Sequence, residues 1–343
     1  MVMLYELCDG KGYKMIPKKY RSELDNIQTA IKITLKDLEN EGKGISFYKN
    51  ELKKIPEIPR YVRVNTLKIS KEDVIEKMLK EGYQISNDLN NAKEFCVDVD
   101  IDDLLIFSPK ARIYDHYLIK SKKLILQDKA SCLSSFLLSP PPGSKVIDTC
   151  AAPGMKTSHL CALMNNTGQV YAFDRDKRRF NDLKDNLLSS GAENASVFNI
   201  DFLKVPVEKL PYDEVEYALV DPPCSGSGMI KRMDSHIDDE EIDKNRLHGL
   251  GNLQAMILKH AMGLPKLKKI VYSTCSIHEI ENECVIEEIM KDENIKNTFR
   301  LVNALPSWKE RGLNKYDFGS KCLRCNPTTS KTNGFFVAVF ERI

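Results

Sequence analysis

Five short apolar segments at 145–148, 169–173, 195–200, 216–220 and 269–272 alternate with helix-length stretches such as 156–164, 176–189 and 279–290. Strands that are apolar throughout must be covered on both faces. Regular β-α alternation therefore predicts a Rossmann-like, mostly parallel α/β sheet with helices on either side. Ligands of such sheets bind beyond the carboxyl ends of the strands. A final apolar run, 335–340, reads as an antiparallel strand closing the sheet at its edge. This sheet begins after Pro140-Pro141-Pro142-Gly143, where the texture of the chain changes.

The preceding part has another rhythm. Leu24, Ile27, Ile31, Leu35 and Leu38 recur at helical spacing and predict an amphipathic helix. Ser70 with Asp73 caps a second helix that Gly82 ends, between short strands at 61–64, 95–97 and 104–107. The expected organisation is a helical segment over 1–58, a small α+β module over 59–125 and an α/β domain over 126–343. With 42% hydrophobic residues in 343, the chain can bury a sizeable core.

A formal charge of +2 gives no general basic field, so a nucleic-acid partner must be argued locally. Residues 1–70 carry fourteen Lys/Arg against nine Asp/Glu, bunched at Lys18, Lys19, Arg21 and at Lys53, Lys54, Arg60, Arg63. Arg60, Tyr61, Arg63 and Lys68 combine phosphate-binding charge with an aromatic face, which suits RNA; ordinary strand packing with exposed charge is the competing reading. No secretory start or membrane-length apolar run is visible, and ten irregularly spaced cysteines do not resemble a disulfide framework. A reduced, intracellular chain follows as the expectation, with nothing to suggest an obligate dimer.

The first strand of the sheet runs into Asp148-Thr149-Cys150-Ala151-Ala152-Pro153-Gly154-Met155-Lys156. A small-residue turn at a helix start suits a cofactor, with Gly154 expected to let the backbone approach it closely. Asp174 ends the second strand, where it can accept hydrogen bonds from ribose hydroxyls, and Asp201 ends the third, within reach of an adenine amino group. The fourth and fifth strands deliver Asp221-Pro222-Pro223-Cys224 and Tyr272-Ser273-Thr274-Cys275, so two thiols face one crevice. Cys8, Cys96, Cys132, Cys161 and Cys284 read as packing residues. Cys322 and Cys325 form a lone C-x-x-C without a second pair, so no metal is expected.

These segments, with Glu281-Asn282-Glu283 and Gly334-Phe335-Phe336, resemble the Nop/Sun-domain RNA cytosine-5 methyltransferases. The resemblance extends through Tyr5-Glu6-Leu7, Gly10-Lys11-Gly12-Tyr13, Arg60 to Thr66 and Leu126 to Ser131. It is strongest toward the fifth member of the eukaryotic Sun-domain series, which is nucleolar and acts on large-subunit ribosomal RNA. The resemblance implies that Cys150, Ala151, Ala152, Pro153, Gly154, Met155, Lys156, Asp174, Arg179, Asp201 and Asp221 surround S-adenosylmethionine and the target base. It implies that Cys275 is the nucleophile and Cys224 the thiol that assists product release. Asp221 is expected to hold the polar edge of the base. An amino-group methyltransferase would share the Asp-Pro-Pro turn but needs no thiol; a nicotinamide enzyme would need the missing glycine fingerprint. A catalytically silent RNA-binding assembly factor is the remaining alternative, and the intact pair of thiols speaks against it.

Overall fold

The computed structural model describes residues 57–230 and 243–343, with a helical pair at Lys36 and Asp37. The amphipathic helix expected between Leu24 and Leu38 and the charge bunches at Lys18–Arg21 and Lys53–Lys54 lie outside this description. Residues Pro56–Ile343 form one compact unit built on two sheets.

The smaller sheet contains β1 (Arg60–Val64), β2 (Gln84–Ile85), β3 (Glu94–Val97), β4 (Leu104–Phe107) and β5 (Leu124–Leu126), ordered β2-β3-β4-β1-β5. Helix α1 (Lys71–Lys80) starts where the Ser70 side chain accepts from the Asp73 N–H, as the capping pattern predicts. Val74 and Met78 of α1 pack with Val62, Val64, Phe95 and Phe107 into the core of this module. Helix α2 (Tyr117–Lys120) precedes β5.

Strand β1 serves two neighbours because its side chains alternate. Val62 and Val64 enter the module core, while Tyr61 and Arg63 turn toward the second sheet and its helices. Arg63 is fully buried; its Nε donates to Gln127 at 2.8 Å and its Nη2 to the Ser158 hydroxyl at 2.9 Å. Burial lowers its pKa to about 10. The Tyr61 hydroxyl donates to the Lys331 carbonyl. The RNA grip expected around β1 is therefore corrected: Tyr61 and Arg63 form the joint between module and domain. Only Arg60 and Lys68 of that group remain exposed, and Lys68 Nζ donates to the Ser121 carbonyl at 3.2 Å.

The larger sheet comprises β6 (Lys145–Asp148), β7 (Gln169–Phe173), β8 (Ala195–Phe198), β9 (Tyr217–Val220), β10 (Lys269–Thr274), β11 (Phe299–Val302), β12 (Leu323–Cys325) and β13 (Phe335–Arg342). Its order is β11-β13-β10-β9-β6-β7-β8, with β12 also paired to β13. Strands β6 to β10 are parallel to their neighbours among themselves. Helices α3 (Lys129–Leu138), α4 (Met155–Leu163) and α5 (Lys177–Ser190) precede or connect these strands. Then come α6 (Lys244–Met262), α7 (Glu283–Met290) and α8 (Glu293–Thr298). Successive strand residues face opposite cores: Val146, Leu219 and Val271 enter one cluster, and Ile147, Ala218 and Ile270 the other.

The antiparallel character expected of the last strand is present, but its edge position is not. Strand β13 pairs with β10 on one side and with β11 and β12 on the other. Its continuous apolar run, buried from Phe335 to Phe340, reflects this interior place.

Candidate active site

The chain reverses direction across the sheet between β6 and β9. Loops leaving the carboxyl ends of these two strands diverge there and open a crevice. On the β6-β7-β8 side is a cleft of about 190 Å³ lined by Cys150, Asp174, Arg179, Asp201, Phe202 and Ile257, among others.

Asp174, 4% exposed, sits at the end of β7 and accepts from the Ala152 N–H at 3.2 Å and from Asp176 N–H at 2.9 Å. Arg179 donates to the Ala152 carbonyl at 2.6 Å, so the small-residue turn is tied to the end of β7 through its N–H and to α5 through its carbonyl. Asp201 caps the short turn that follows β8, accepting from Leu203 N–H. Its structural role as a cap and its position on the cleft coexist. The buried Asp174 and part-exposed Asp201 carboxylates beside the apolar surfaces of Phe202 and Ile257 match a ribose diol attached to a flat ring, so the residues present fit an adenosyl cofactor.

Gly154 adopts φ +98°, which an L side chain rarely tolerates. A Cβ there would lie 3.0 Å from Leu183 Cδ1 of α5. The glycine therefore serves the turn and the α4–α5 packing. Cys150 lines the cleft, and burial pushes its thiol above the usual cysteine range.

The second half of the site lies beyond β9 and β10. Cys224 and Cys275 bring their Sγ atoms to 2.9 Å. The neighbouring Cys275 thiol, reinforced by burial, pushes the Cys224 pKa well up, so Cys224 keeps its proton, and either sulfur can be the donor in the contact. Beside them, Lys156 Nζ donates to Asp221 Oδ2 at 2.8 Å, and the Ser273 hydroxyl donates to Asp221 Oδ1 at 2.7 Å. Burial opposes the Lys156 ammonium, yet attraction to Asp221 and then to Cys275 holds its pKa above the usual lysine value. Lys156 Nζ also sits 5.4 Å from the Phe335 ring centre.

The residues singled out in the sequence thus divide into two groups. Cys150, Asp174, Arg179 and Asp201 line the cleft, whereas Lys156 and Asp221 stand with the thiols. Ser273 and Phe335 join the second group without having been assigned a role. Both lie inside motifs already visible, Tyr272-Ser273-Thr274-Cys275 and Gly334-Phe335-Phe336, but only the three-dimensional meeting of β10 and β13 with Asp221 gives them one.

Cys322 and Cys325 are buried in different cores, one on each face of the sheet. Among the described residues, no three His, Cys, Asp or Glu side chains gather as metal ligands. None of the described helices is long and apolar enough to cross a membrane.

The family model described as "16S rRNA methyltransferase RsmB/F" matches residues 135–341. The model for the ferredoxin-like domain of NOL1/NOP2/Sun domain family member 5 matches residues 58–127. The 26S rRNA (cytosine-C(5))-methyltransferase nsun-5 of Caenorhabditis elegans is 45% identical over 358 residues, covering 100% of this chain and 81% of its own length. A 28S rRNA (cytosine-C(5))-methyltransferase of Mus musculus is 38% identical, covering 99% of this chain and 76% of its own. Among solved structures, a methyltransferase homologue from Pyrococcus horikoshii superposes with a TM-score of 0.70 at 28% identity, covering 88% of this chain and 92% of that one.

Proposed function

The chain belongs to the RsmB/F family of rRNA methyltransferases, and from that membership we propose that Cys275 attacks a cytosine of large-subunit ribosomal RNA to prepare its C5 for methylation. The overall activity is that of an S-adenosylmethionine-dependent rRNA (cytosine-C5)-methyltransferase.

The observation that carries the assignment of roles is the placing of two thiols 2.9 Å apart beside a Lys156–Asp221 pair. Cytosine C5 is a weak nucleophile in the intact aromatic ring. Addition of the Cys275 thiolate to C6 forms a C6–S bond and pushes electron density onto C5. The Lys156 ammonium offsets the negative charge of the thiolate before attack, and the Cys224 S–H donates toward the same sulfur. Asp221, held by Lys156 and Ser273, is positioned to meet the polar edge of the base and stabilise charge that grows there. S-adenosylmethionine, when bound, supplies an electrophilic methyl group on a sulfonium; Asp174 would hold its ribose, Asp201 its adenine amino group, and Phe202 and Ile257 its flat ring. After methylation, loss of the C5 proton restores the double bond as the C6–S bond breaks. Cys224 is assigned to this release. The site of work that follows from the substrate is the nucleolus, where large-subunit rRNA is made.

The test combines wild type, Cys224→Ala and Cys275→Ala with pre-ribosomal RNA and labelled S-adenosylmethionine. Wild type should label RNA, Cys224→Ala should remain joined to RNA on a denaturing gel, and Cys275→Ala should do neither. Transfer by Cys275→Ala at the wild-type rate would remove it as nucleophile. Binding of RNA and cofactor by wild type without any transfer would favour a silent assembly factor.

A further inference from the structure

Glu281-Asn282-Glu283 is not used in the reaction described above, yet Glu281 and Asn282 reach the backbone on either side of both thiols. Glu281 is completely buried at the end of the turn before α7. Its carboxylate accepts from the Ser225 N–H at 2.8 Å, the Ser225 hydroxyl at 2.6 Å and the Gln254 amide at 3.0 Å. The same Gln254 amide donates its other hydrogen to the Pro223 carbonyl at 2.9 Å. Cys224 is therefore gripped from the residue before it and the residue after it.

Asn282, also completely buried, does the same for the other thiol. Its Oδ1 accepts from the Thr274 hydroxyl and its Nδ2 donates to the Ser276 carbonyl at 2.9 Å, bracketing Cys275. Two consecutive side chains thus hold two loops that leave different strands. The Tyr272 hydroxyl donates to the Glu281 carbonyl at 2.6 Å, fastening the pair to β10. On the following residue, the Glu283 carboxylate takes a two-pronged bond from Arg324 at 2.7 and 2.6 Å.

We infer that Glu281 and Asn282 form a yoke that sets the Cys224–Cys275 spacing and so are positioning residues for the reaction. A fully buried carboxylate that accepts from three donors has little freedom to rearrange, because its own charge would lose those partners away from water. The two bonds of Asn282 likewise need both an acceptor and a donor. Division of labour follows: Glu281 governs Cys224, and Asn282 governs Cys275.

The test uses the isosteric variants Glu281→Gln and Asn282→Asp, each of which puts a mismatched atom opposite an existing partner. Spacing is read without reference to catalysis by adding diamide, which takes two electrons and two protons from the thiols, leaving a disulfide and the hydrazine. Mass spectrometry of the Cys224–Cys275 linked peptide should show joining in wild type and about tenfold slower joining in either variant, as expected for loss of one charge-assisted or buried hydrogen bond. The catalytic arm rests on the thiol roles proposed above. Glu281→Gln should complete a first turnover near the wild-type rate and then accumulate RNA adduct, whereas Asn282→Asp should lose about tenfold in the first turnover and accumulate none. Unchanged disulfide formation in both folded variants overturns the yoke, as does an identical loss of all activities in both. Should Cys224→Ala give no adduct, the thiol roles fail while the diamide measurement still judges the yoke. If either variant does not fold, Ser225→Ala and Thr274→Val, which delete one hydroxyl each, carry the same expected directions.

Discussion

Asp148 leaves β6 with one carboxylate oxygen on the Thr157 hydroxyl at 2.8 Å and, among the described residues, no hydrogen bond to the other. Burial raises its pKa to about 7. An unfolded aspartate has lost its proton by about pH 4, whereas folded Asp148 still holds it. Its share of stability is therefore complete below about pH 4 and lost as pH rises through about 7, an effect on the order of 4 kcal/mol. Asp148→Asn should become more stable relative to wild type between pH 5 and pH 8, read as a widening difference in Tm. A constant difference would mean that the carboxyl ionises as it does in water. His159, buried and held neutral by burial, has a depressed pKa; its contribution is present above about pH 6.5 and fades as pH falls. That trend is common to both proteins and cancels in the comparison. Single residues were the scale least legible in the sequence. The strand-end positions of Asp174 and Cys275 were legible from the pattern, but the packing of Gly154 and Arg63 was not. Nothing in a one-dimensional pattern tells whether a glycine clears space for a ligand or a helix, or whether an arginine faces solvent or a second domain.

Elements were far more legible. The alternating burial of β6, β9 and β10 demands two covered faces, and only a strand-helix alternation provides them. What periodicity lacks is lateral order, which explains why β13 was expected at an edge and is found inside. Its place has local consequences. Gly334, just before β13, donates its N–H to the Gly228 carbonyl, and Gly228 donates to the Cys275 carbonyl, so three segments are laced side by side. A Cβ on Gly228 would lie 2.1 Å from the Gly334 oxygen, a backbone atom that cannot step aside. Gly228→Ala should therefore lose about 3 kcal/mol of stability and lift the Cys224 loop from its neighbour. Chemical denaturation measures the first effect, and retention of wild-type stability would contradict the close crossing.

At the scale of the molecule, the module and the methyltransferase domain meet across buried polar side chains. Asn65 adds to the joint by donating to the Lys122 carbonyl at 2.8 Å and the Ser190 carbonyl at 2.7 Å. Arg63→Ala should cost about 3 kcal/mol, because Gln127 and Ser158 would lose their partner along with the packed stem. Arg60→Ala, at an exposed position, should leave stability within about 0.5 kcal/mol. If Arg63→Ala instead left the melting curve unchanged while flattening the salt dependence of RNA binding, the residue would be a phosphate contact after all. This joint was not legible in the sequence, since its members come from β1, α4, α5 and the segment before α3.

A joint filled with buried, hydrogen-bonded side chains leaves β1 little room to shift against α4 and α5. On the route proposed above, a base must leave its stack to meet two thiols, at an expense of a few kcal/mol in a stable helix. The same cytosine should therefore be methylated about a hundredfold faster in a loop than in a matched duplex, measured as initial rates on paired oligonucleotides. A preference of that size would make the finished methyl group a date stamp for the interval when the RNA strand is still loose.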